Sequence, residues 1–210
     1  MASPTASIGT QALLFDLGGV VLDIDFNRAF EHWLPISGLT LAEIKTAFQF
    51  DLPYQQHERG EISADAYFAH LRRVLRLQGD ETRILQGWNA IFKGEITLTR
   101  RLVEAARAHF PCYAFTNSNT AHQAAWSARF PALLQAFDTV FVSSEIGCRK
   151  PEPRAFEFIG QTLGLPLGSI MFFDDTLENV HGAVRAGLQA VHVRGSEDVR
   201  AALQGLGCVP

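Results

Sequence analysis

The chain has 210 residues, of which 47% are hydrophobic and 19% are charged, and its formal net charge is −4. This length and composition are ordinary for a globular protein of one domain, or of one domain with a modest insertion. No dense lysine or arginine patch stands out, which argues against nucleic acid as the main partner. No run approaches the apolar length of a membrane span, so no membrane partner is expected.

The amino terminus and the cysteines predict where the protein works. The first ten residues, MASPTASIGT, lack the charged start and apolar centre of a signal peptide, and residues 1–10 are predicted to form a disordered tail. The three cysteines lie far apart and form no CxxC motif. This usage is typical of a reduced compartment, so the predicted location is the cytoplasm.

Short apolar runs in the chain predict buried strands. Near-continuous runs of this kind indicate a parallel sheet that is covered on both faces. Segments with helical periodicity separate the later runs, and this alternation predicts a doubly wound, Rossmann-like α/β fold. Gly187 is predicted to end the helix that follows the fourth run. The runs are QALLFDL at 11–17, CYAFTN at 112–117, TVFVSS at 139–144, SIMFFDD at 169–175 and QAVHVRG at 189–195.

A long segment without a clear strand separates the first run from the second. Its apolar residues follow helical periodicity, and Ser63 is a predicted helix N-cap. The simplest account is a helical cap over residues 24–94, inserted into a core of residues 11–23 and 95–210. The predicted helical segments of this insertion are residues 27–48, 62–77 and 80–92.

Polar residues stand where the predicted strands end. Ligands of open α/β sheets bind beyond the carboxyl ends of the strands, so these residues are expected to share one rim. Each alone is more often a cap, a turn or a solvated loop residue, but the ordered set is harder to explain in that way. They are Asp16 after the first strand, Thr116 after the second, Lys150 in the loop after the third, and Asp174 and Asp175 after the fourth.

This set suits phosphoryl transfer. Clustered carboxylates are hard oxygen ligands for Mg²⁺, which offsets the repulsion between an anionic nucleophile and a phosphate. Asp16 can attack phosphorus and form an aspartyl-phosphate. Thr116 and nearby backbone N–H groups can hold phosphate oxygens, while Lys150 supplies positive charge to the transferring group. Glycines after Asp16 let the backbone approach the metal and the phosphate closely.

Four segments resemble the motifs of the haloacid dehalogenase-like hydrolase superfamily. They are FDLGGVV at 15–21, FTNSN at 115–119, KPEPRAF at 150–156 and FFDDTLENVHGA at 172–183. The resemblance spans nearly the whole chain and includes a helical cap after the first motif, as in subfamily IA with a C1 cap. It implies a hydrolase with a Rossmann-like core.

The resemblance also implies roles for individual residues. Asp16 would be the nucleophile, and Lys150 would steady both the nucleophile and the phosphoryl group. The implied substrate-binding residues of the core are Thr116, Asn117 and Gly19.

The implied cofactor is Mg²⁺, held by Asp16, Asp175 and the backbone carbonyl of Gly18. Asp174 would act through a water molecule or as a partner of a ligand. Most phosphatases of the family carry a second aspartate at the position of Gly18, where it protonates the leaving group and then activates water. Gly18 keeps the carbonyl ligand but has no proton to give.

A bound water or a cap residue is expected to supply this help. Two cap residues, His57 and Glu58, are the candidates, and both are expected to contact the substrate. The segments FDLGGVVLDIDF and QQHERGEIS resemble bacterial sugar-1-phosphate phosphatases, which implies a small phosphorylated metabolite such as glucose 1-phosphate. Two alternatives stay open. A metal-independent 2-haloacid dehalogenase also lacks the second aspartate, although the paired acids of FFDD argue against it. A non-catalytic binder of phosphate compounds would explain the loss of the acid/base.

Overall fold

The computed structural model describes residues 9–209. A parallel sheet of five strands has the order β5-β4-β1-β6-β7, and a separate two-stranded sheet pairs β2 with β3. The predicted strands of the parallel sheet are all present, each shorter than its apolar run. Of the tail predicted for residues 1–10, residues 1–8 lie outside the described part of the chain. The strands are β1 (Ala12–Phe15), β2 (Leu22–Ile24), β3 (Phe92–Glu95), β4 (Cys112–Thr116), β5 (Thr139–Val142), β6 (Ile170–Asp174) and β7 (Gln189–His192).

Seven helices connect or flank the strands of the parallel sheet after β3. Gly187 ends the helix after β6 in the left-handed region at φ +106°, as predicted. The last helix was not predicted from the sequence. No helix among residues 9–209 is long and apolar enough to cross a membrane. These helices are α6 (Thr97–Ala106), α7 (Thr120–Arg129), α8 (Pro131–Leu134), α9 (Ser143–Ile146), α10 (Pro153–Leu163), α11 (Leu177–Ala186) and α12 (Ser196–Gly205).

The central strand β1 is buried on both faces. Because side chains alternate along a strand, Leu13 and Phe15 join one apolar cluster while Ala12 and Leu14 join the other. Helices α6 and α12 cover the first face, and α10 and α11 cover the second. The doubly wound α/β prediction is therefore confirmed.

Five helices fill the insertion between β2 and β3. Polar side chains cap them as the sequence pattern suggests, and Ser63 accepts a hydrogen bond from Ala66 N as the predicted N-cap of the fourth. The predicted helix at 27–48 is interrupted, because Pro35 lies in a 3₁₀ turn and Thr40 starts a new capped helix. The third helix was not predicted. The helices are α1 (Phe26–Trp33), α2 (Leu41–Ala47), α3 (Leu52–Glu58), α4 (Ala64–Val74) and α5 (Glu81–Asn89).

The β2–β3 ladder joins the insertion to the parallel sheet. The two strands run antiparallel, with Leu22 opposite Glu95 and Asp23 opposite Gly94. An ion pair of 2.7 Å between Lys93 Nζ and Asp23 Oδ2 spans the ladder. The prediction that this stretch lacks strands was wrong, because neither LDI nor FKGE forms an apolar run.

Candidate active site

Three carboxylates meet at the carboxyl edge of the parallel sheet. Asp16 follows β1, Asp174 ends β6 and Asp175 follows it. Each offers an oxygen within 4.8 Å of the others. The parallel topology places β1 beside β6, so the strand-end acids predicted from the sequence do come together.

Lys150 lies between two of these acids. Its Nζ lies 2.9 Å from Asp16 Oδ1 and 2.7 Å from Asp174 Oδ2, and it donates to the Phe115 carbonyl at 3.0 Å. The residue is fully buried. Burial works against its charge, but the Asp16 and Asp174 carboxylates outweigh burial and raise the pKa of Lys150. A buried, charged ammonium is therefore held against the oxygen edge of Asp16.

Asn117 holds the loop that carries Lys150. Its Nδ2 donates to the Lys150 carbonyl and its Oδ1 accepts from the Lys150 N–H, both at 2.9 Å. This reciprocal pair orients the Lys150 backbone. Asn117 and Thr116, which is 6% exposed, both line the cavity at the sheet edge.

The two acids after β6 differ in their surroundings. Asp174 is fully buried and accepts hydrogen bonds from Thr176 N at 2.8 Å and Asn179 Nδ2 at 3.0 Å, besides its contact with Lys150. Asp175 is exposed and lines the cavity. Asp175 is thus open to a ligand in the cavity, whereas Asp174 is occupied by protein donors.

The two glycines after Asp16 allow close packing. Gly19 has φ +76°, and a Cβ atom there would overlap the Asp175 carboxylate. Gly18 lines the cavity, and a Cβ atom on it would lie 2.9 Å from Ile24 Cδ1. The space of a side chain at position 18 is therefore partly filled by Ile24.

Burial and charge both act on Asp16. Burial raises the pKa of Asp16 to about 8, and the Asp174 and Asp175 carboxylates add to the shift, whereas Lys150 opposes it. Its Oδ1 also accepts a hydrogen bond from Leu17 N at 2.7 Å. An all-oxygen donor set with repelling carboxylates fits a hard divalent cation such as Mg²⁺, which would relieve this repulsion.

The cavity above these groups has a volume of about 590 Å³. The parallel sheet and its loops provide the charged floor. The insertion provides another wall, which is lined by both aromatic and polar side chains. The residues of that wall are Phe26, Phe50, Tyr54, Gln55 and Glu58.

Glu58 reaches the cavity and ties the insertion to the core. Its Oε2 lies 2.7 Å from Arg149 Nε, and its backbone carbonyl accepts a hydrogen bond from Ser143 Oγ at 2.6 Å. Next to it, Arg59 pairs with Glu152 at 3.0 Å. Helix α3 thus ends against the loop that carries Lys150.

His57 does not join Glu58 in the cavity. Its ring is 2% exposed, stacks on Tyr67 at 4.6 Å and lies near Phe68 and Trp88. It is not among the residues that line the cavity, and neither ring nitrogen has a hydrogen-bond partner among the described residues. Burial lowers the pKa of His57 to about 4.

Two residues of the site were missed in the sequence. Arg149 precedes Lys150 directly, and its partner Glu58 is distant in the chain. Asn179 lies within the segment FFDDTLENVHGA, in the first turn of α11, and donates to Asp174. The sequence signal that could have identified these two residues is that each lies close in the chain to a motif residue.

A family model of the haloacid dehalogenase-like hydrolases matches residues 10–187. The chain belongs to this family, and the predicted superfamily and enzyme class are confirmed at that level. It is 31% identical over 195 residues to phosphatase MT3486 of Mycobacterium tuberculosis, with 90% of this chain and 89% of the relative covered. It is 26% identical over 198 residues to the D-ribitol-5-phosphate phosphatase of Bacteroides thetaiotaomicron, with 90% and 94% covered.

Solved structures agree with the fold. The HAD family enzyme bt-2542 of Bacteroides thetaiotaomicron superposes with a TM-score of 0.82 at 25% identity, covering 93% of this chain and 98% of that one. A mutant of that enzyme in complex with magnesium and inorganic phosphate gives a TM-score of 0.80 at 25% identity, covering 89% and 95%.

Proposed function

We propose that this hydrolase is a Mg²⁺-dependent phosphatase that cleaves a small phosphate monoester through an aspartyl-phosphate on Asp16. The observation that carries the proposal is the contact of 2.9 Å between Lys150 Nζ and Asp16 Oδ1 inside a cluster of three carboxylates. A nucleophile, a fixed positive charge and an oxygen-rich cation site together suit the attack of an anion on a phosphate. Both curated relatives named above are phosphatases, which supports the reaction class.

The geometry suggests how Asp16 works. Leu17 N–H and Lys150 both hold Oδ1, so Oδ2 is the oxygen assigned to attack phosphorus. Lys150 then faces the negative charge that develops on the phosphoryl oxygens. Thr116 is assigned to hold those oxygens, while Asn117 keeps the Lys150 loop in place.

Mg²⁺ would be held by Asp16, Asp175 and the Gly18 carbonyl, and when bound it offsets the charge of the phosphate. Asp174 is assigned a supporting role, because protein donors already occupy its carboxylate. The magnesium and phosphate complex of the structural neighbour supports this cofactor.

The proposed substrate is a small phosphorylated metabolite, with sugar phosphates such as glucose 1-phosphate as the first class to test. The ribitol phosphate activity of one relative supports a polyol or sugar phosphate. Residues 24–94 are proposed to act as a cap over the core of residues 11–23 and 95–210, since both line the cavity. The three free cysteines support the proposed cytoplasmic location.

The test is phosphate release with Mg²⁺ and with EDTA, over a panel of sugar phosphates and p-nitrophenyl phosphate. L-2-chloropropionate with chloride detection runs alongside. Phosphate release that EDTA stops supports the proposal. Chloride release without metal would assign the protein to the dehalogenases, and binding of phosphate compounds without any turnover would support a non-catalytic role.

A further inference from the structure

The site holds a nucleophile but lacks a side chain at Gly18 to move a proton. A Cβ atom on Gly18 would lie 2.9 Å from Ile24 Cδ1, so the neighbour of this position is an apolar group that cannot move a proton either. An alkoxide leaving group nevertheless needs a proton as the P–O bond breaks. Some other group in the cavity must supply it.

Five acids line the cavity among the described residues. Asp16 is the nucleophile and Asp175 is a proposed metal ligand. Glu152 pairs with two arginines, Arg59 at 3.0 Å and Arg154 at 2.8 Å, and its side chain is 26% exposed, while Glu178 is exposed as well. The remaining acid, Glu58, is buried with a side chain that is 5% exposed.

We propose that Glu58 is the general acid and base of this site and takes the role of the aspartate that is missing at Gly18. This inference rests on the proposed phosphatase function. Glu58 is the last residue of α3 and lines the same cavity as Asp16, so the leaving group of an ester attacked by Asp16 would depart into the cavity that Glu58 lines.

The contacts of Glu58 hold it rigidly. Arg149 Nε lies 2.7 Å from its Oε2, the Tyr54 hydroxyl hydrogen-bonds to the carboxylate, and Ser143 Oγ holds its backbone carbonyl at 2.6 Å. Burial raises the pKa of Glu58, and it outweighs the lowering by Arg149, Tyr54 and Lys150. Burial thus favours the neutral carboxyl more than in an exposed glutamate, and the neutral carboxyl is the form that a general acid needs.

The two half-reactions balance with this assignment. In the first, Asp16 Oδ2 bonds to phosphorus, the P–O bond to the alcohol breaks, and the Glu58 carboxyl gives its proton to the leaving oxygen. In the second, the Glu58 carboxylate takes a proton from water while the water oxygen bonds to phosphorus and the Asp16–phosphorus bond breaks. Phosphate leaves, and both side chains return to their starting states.

Glu58→Gln tests the assignment through the leaving group. The ratio kcat/KM reports the steps up to departure of the alcohol, so only the acid role affects it. On alkyl phosphates, kcat/KM is expected to fall on the order of 100-fold or more, because general acid catalysis contributes that much. On p-nitrophenyl phosphate it should change little, because nitrophenolate leaves without a proton. A burst of nitrophenol should then appear, because the second half-reaction has lost its base.

Glu61→Gln is the matched control. Glu61 lies in the turn that follows α3, pairs with Arg59 at 2.6 Å and does not line the cavity, so its variant should keep the leaving-group dependence of the unchanged enzyme. A uniform fall of Glu58→Gln across all esters would show a structural role through Arg149 and overturn the inference. No fall on alkyl esters would also overturn it.

A second variant asks whether the proton can come from position 18 instead. Gly18→Asp needs room that Ile24→Val provides, because Cδ1 is the atom in the way. In the Glu58→Gln background, this pair should restore much of the rate on alkyl phosphates. Failure of a folded, metal-binding triple variant to gain any rate would count against proton transfer as the lost function.

The unchanged enzyme separates the possible failures. If it releases no phosphate from any ester, the proposed function fails and the inference falls with it. If the unchanged enzyme is active but Glu58→Gln does not fold, the leaving-group dependence of the unchanged enzyme tests the inference. If kcat/KM of the unchanged enzyme falls only weakly from nitrophenyl to alkyl esters, a proton donor is present. A steep fall in kcat/KM overturns the inference.

Discussion

Gly19 and Asp175 are packed so closely that a methyl group on Gly19 would overlap the Asp175 carboxylate. Gly19 also has φ +76°, a left-handed conformation that side chains other than glycine rarely adopt. The turn after β1 therefore sets the position of an acid after β6. Any side chain at this position must displace Asp175 from the cluster of three carboxylates.

We expect Gly19→Ala to weaken Mg²⁺ binding by about 10–100-fold, as loss of an orienting contact does in metal sites. Gly164→Ala is the control, because Gly164 has φ +66° with nothing within 4 Å of its Cβ position. Both variants should lose about 1–2 kcal/mol of unfolding free energy from left-handed strain. Mg²⁺ titration of activity and urea unfolding measure the two effects. Equal Mg²⁺ affinity in both variants would contradict the proposed role of Asp175.

Asp16→Asn should lower phosphatase turnover by about 10⁴-fold or more, because an amide cannot attack phosphorus as a carboxylate does. The amide oxygen can still accept the hydrogen bonds from Leu17 N–H and Lys150, so the melting temperature should change little. Asp65→Asn, an exposed acid on α4, is the control. Retained turnover in a folded Asp16→Asn would remove Asp16 as the nucleophile.

The strands of the core could be predicted because a central parallel strand is buried on both faces. All four residues of β1, ALLF, are buried. Every one of them is therefore apolar, without the alternation of a strand that has one exposed face. β2 and β3 carry mixed polar sequences, and their pairing depends on a contact between distant segments. The sequence near each strand does not reveal such a contact, so these strands were not predicted.

The rim of the site could be predicted for the same reason, since topology alone brings Asp16, Asp174 and Asp175 to one edge. The direction of single side chains could not. His57 and Glu58 are neighbours on α3, but successive residues on a helix point about 100° apart. One ring packs among aromatic residues while the next carboxylate reaches the cavity.

Replacing His57 should stabilise the protein. Neither ring nitrogen has a partner among residues 9–209, and a buried unsatisfied polar group costs about 1–3 kcal/mol. We expect His57→Leu to raise the unfolding free energy by about 1–2 kcal/mol, with kinetic constants unchanged. A rise in KM for phosphate esters would instead support the predicted contact of His57 with substrate.

His122→Leu is the matched comparison, because this buried histidine is fully paired. Its Nε2 contacts the Trp88 carbonyl at 3.0 Å and its Nδ1 contacts Asn119 Nδ2 at 3.3 Å. Loss of these bonds leaves buried partners unsatisfied, so the variant should lose about 1–3 kcal/mol. Urea unfolding at pH 8, where both histidines are neutral, measures the two changes. Changes of the same sign would contradict the contrast between the two sites.

The same two histidines predict acid sensitivity. Burial lowers the pKa of His57 to about 4 and that of His122 to about 3, against an ordinary value of 6.5. The folded state favours the neutral rings, so their contribution is complete above pH 6.5. It is lost as the pH falls from 6.5 towards the folded values, because the unfolded chain takes up protons first.

Each buried ring therefore lowers the unfolding free energy by about 2 kcal/mol between pH 7 and pH 5, at 1.36 kcal/mol per pH unit. The pKa values of several carboxyl groups are raised rather than lowered, and these groups also change the stability as the pH falls. The difference in unfolding free energy between variants is therefore the quantity to measure. The advantage of His57→Leu over the unchanged protein should grow by about 2 kcal/mol between pH 7 and pH 5 in urea unfolding. An advantage that stays constant over this range would mean that His57 titrates normally in the folded protein, and that its ring is reached by water.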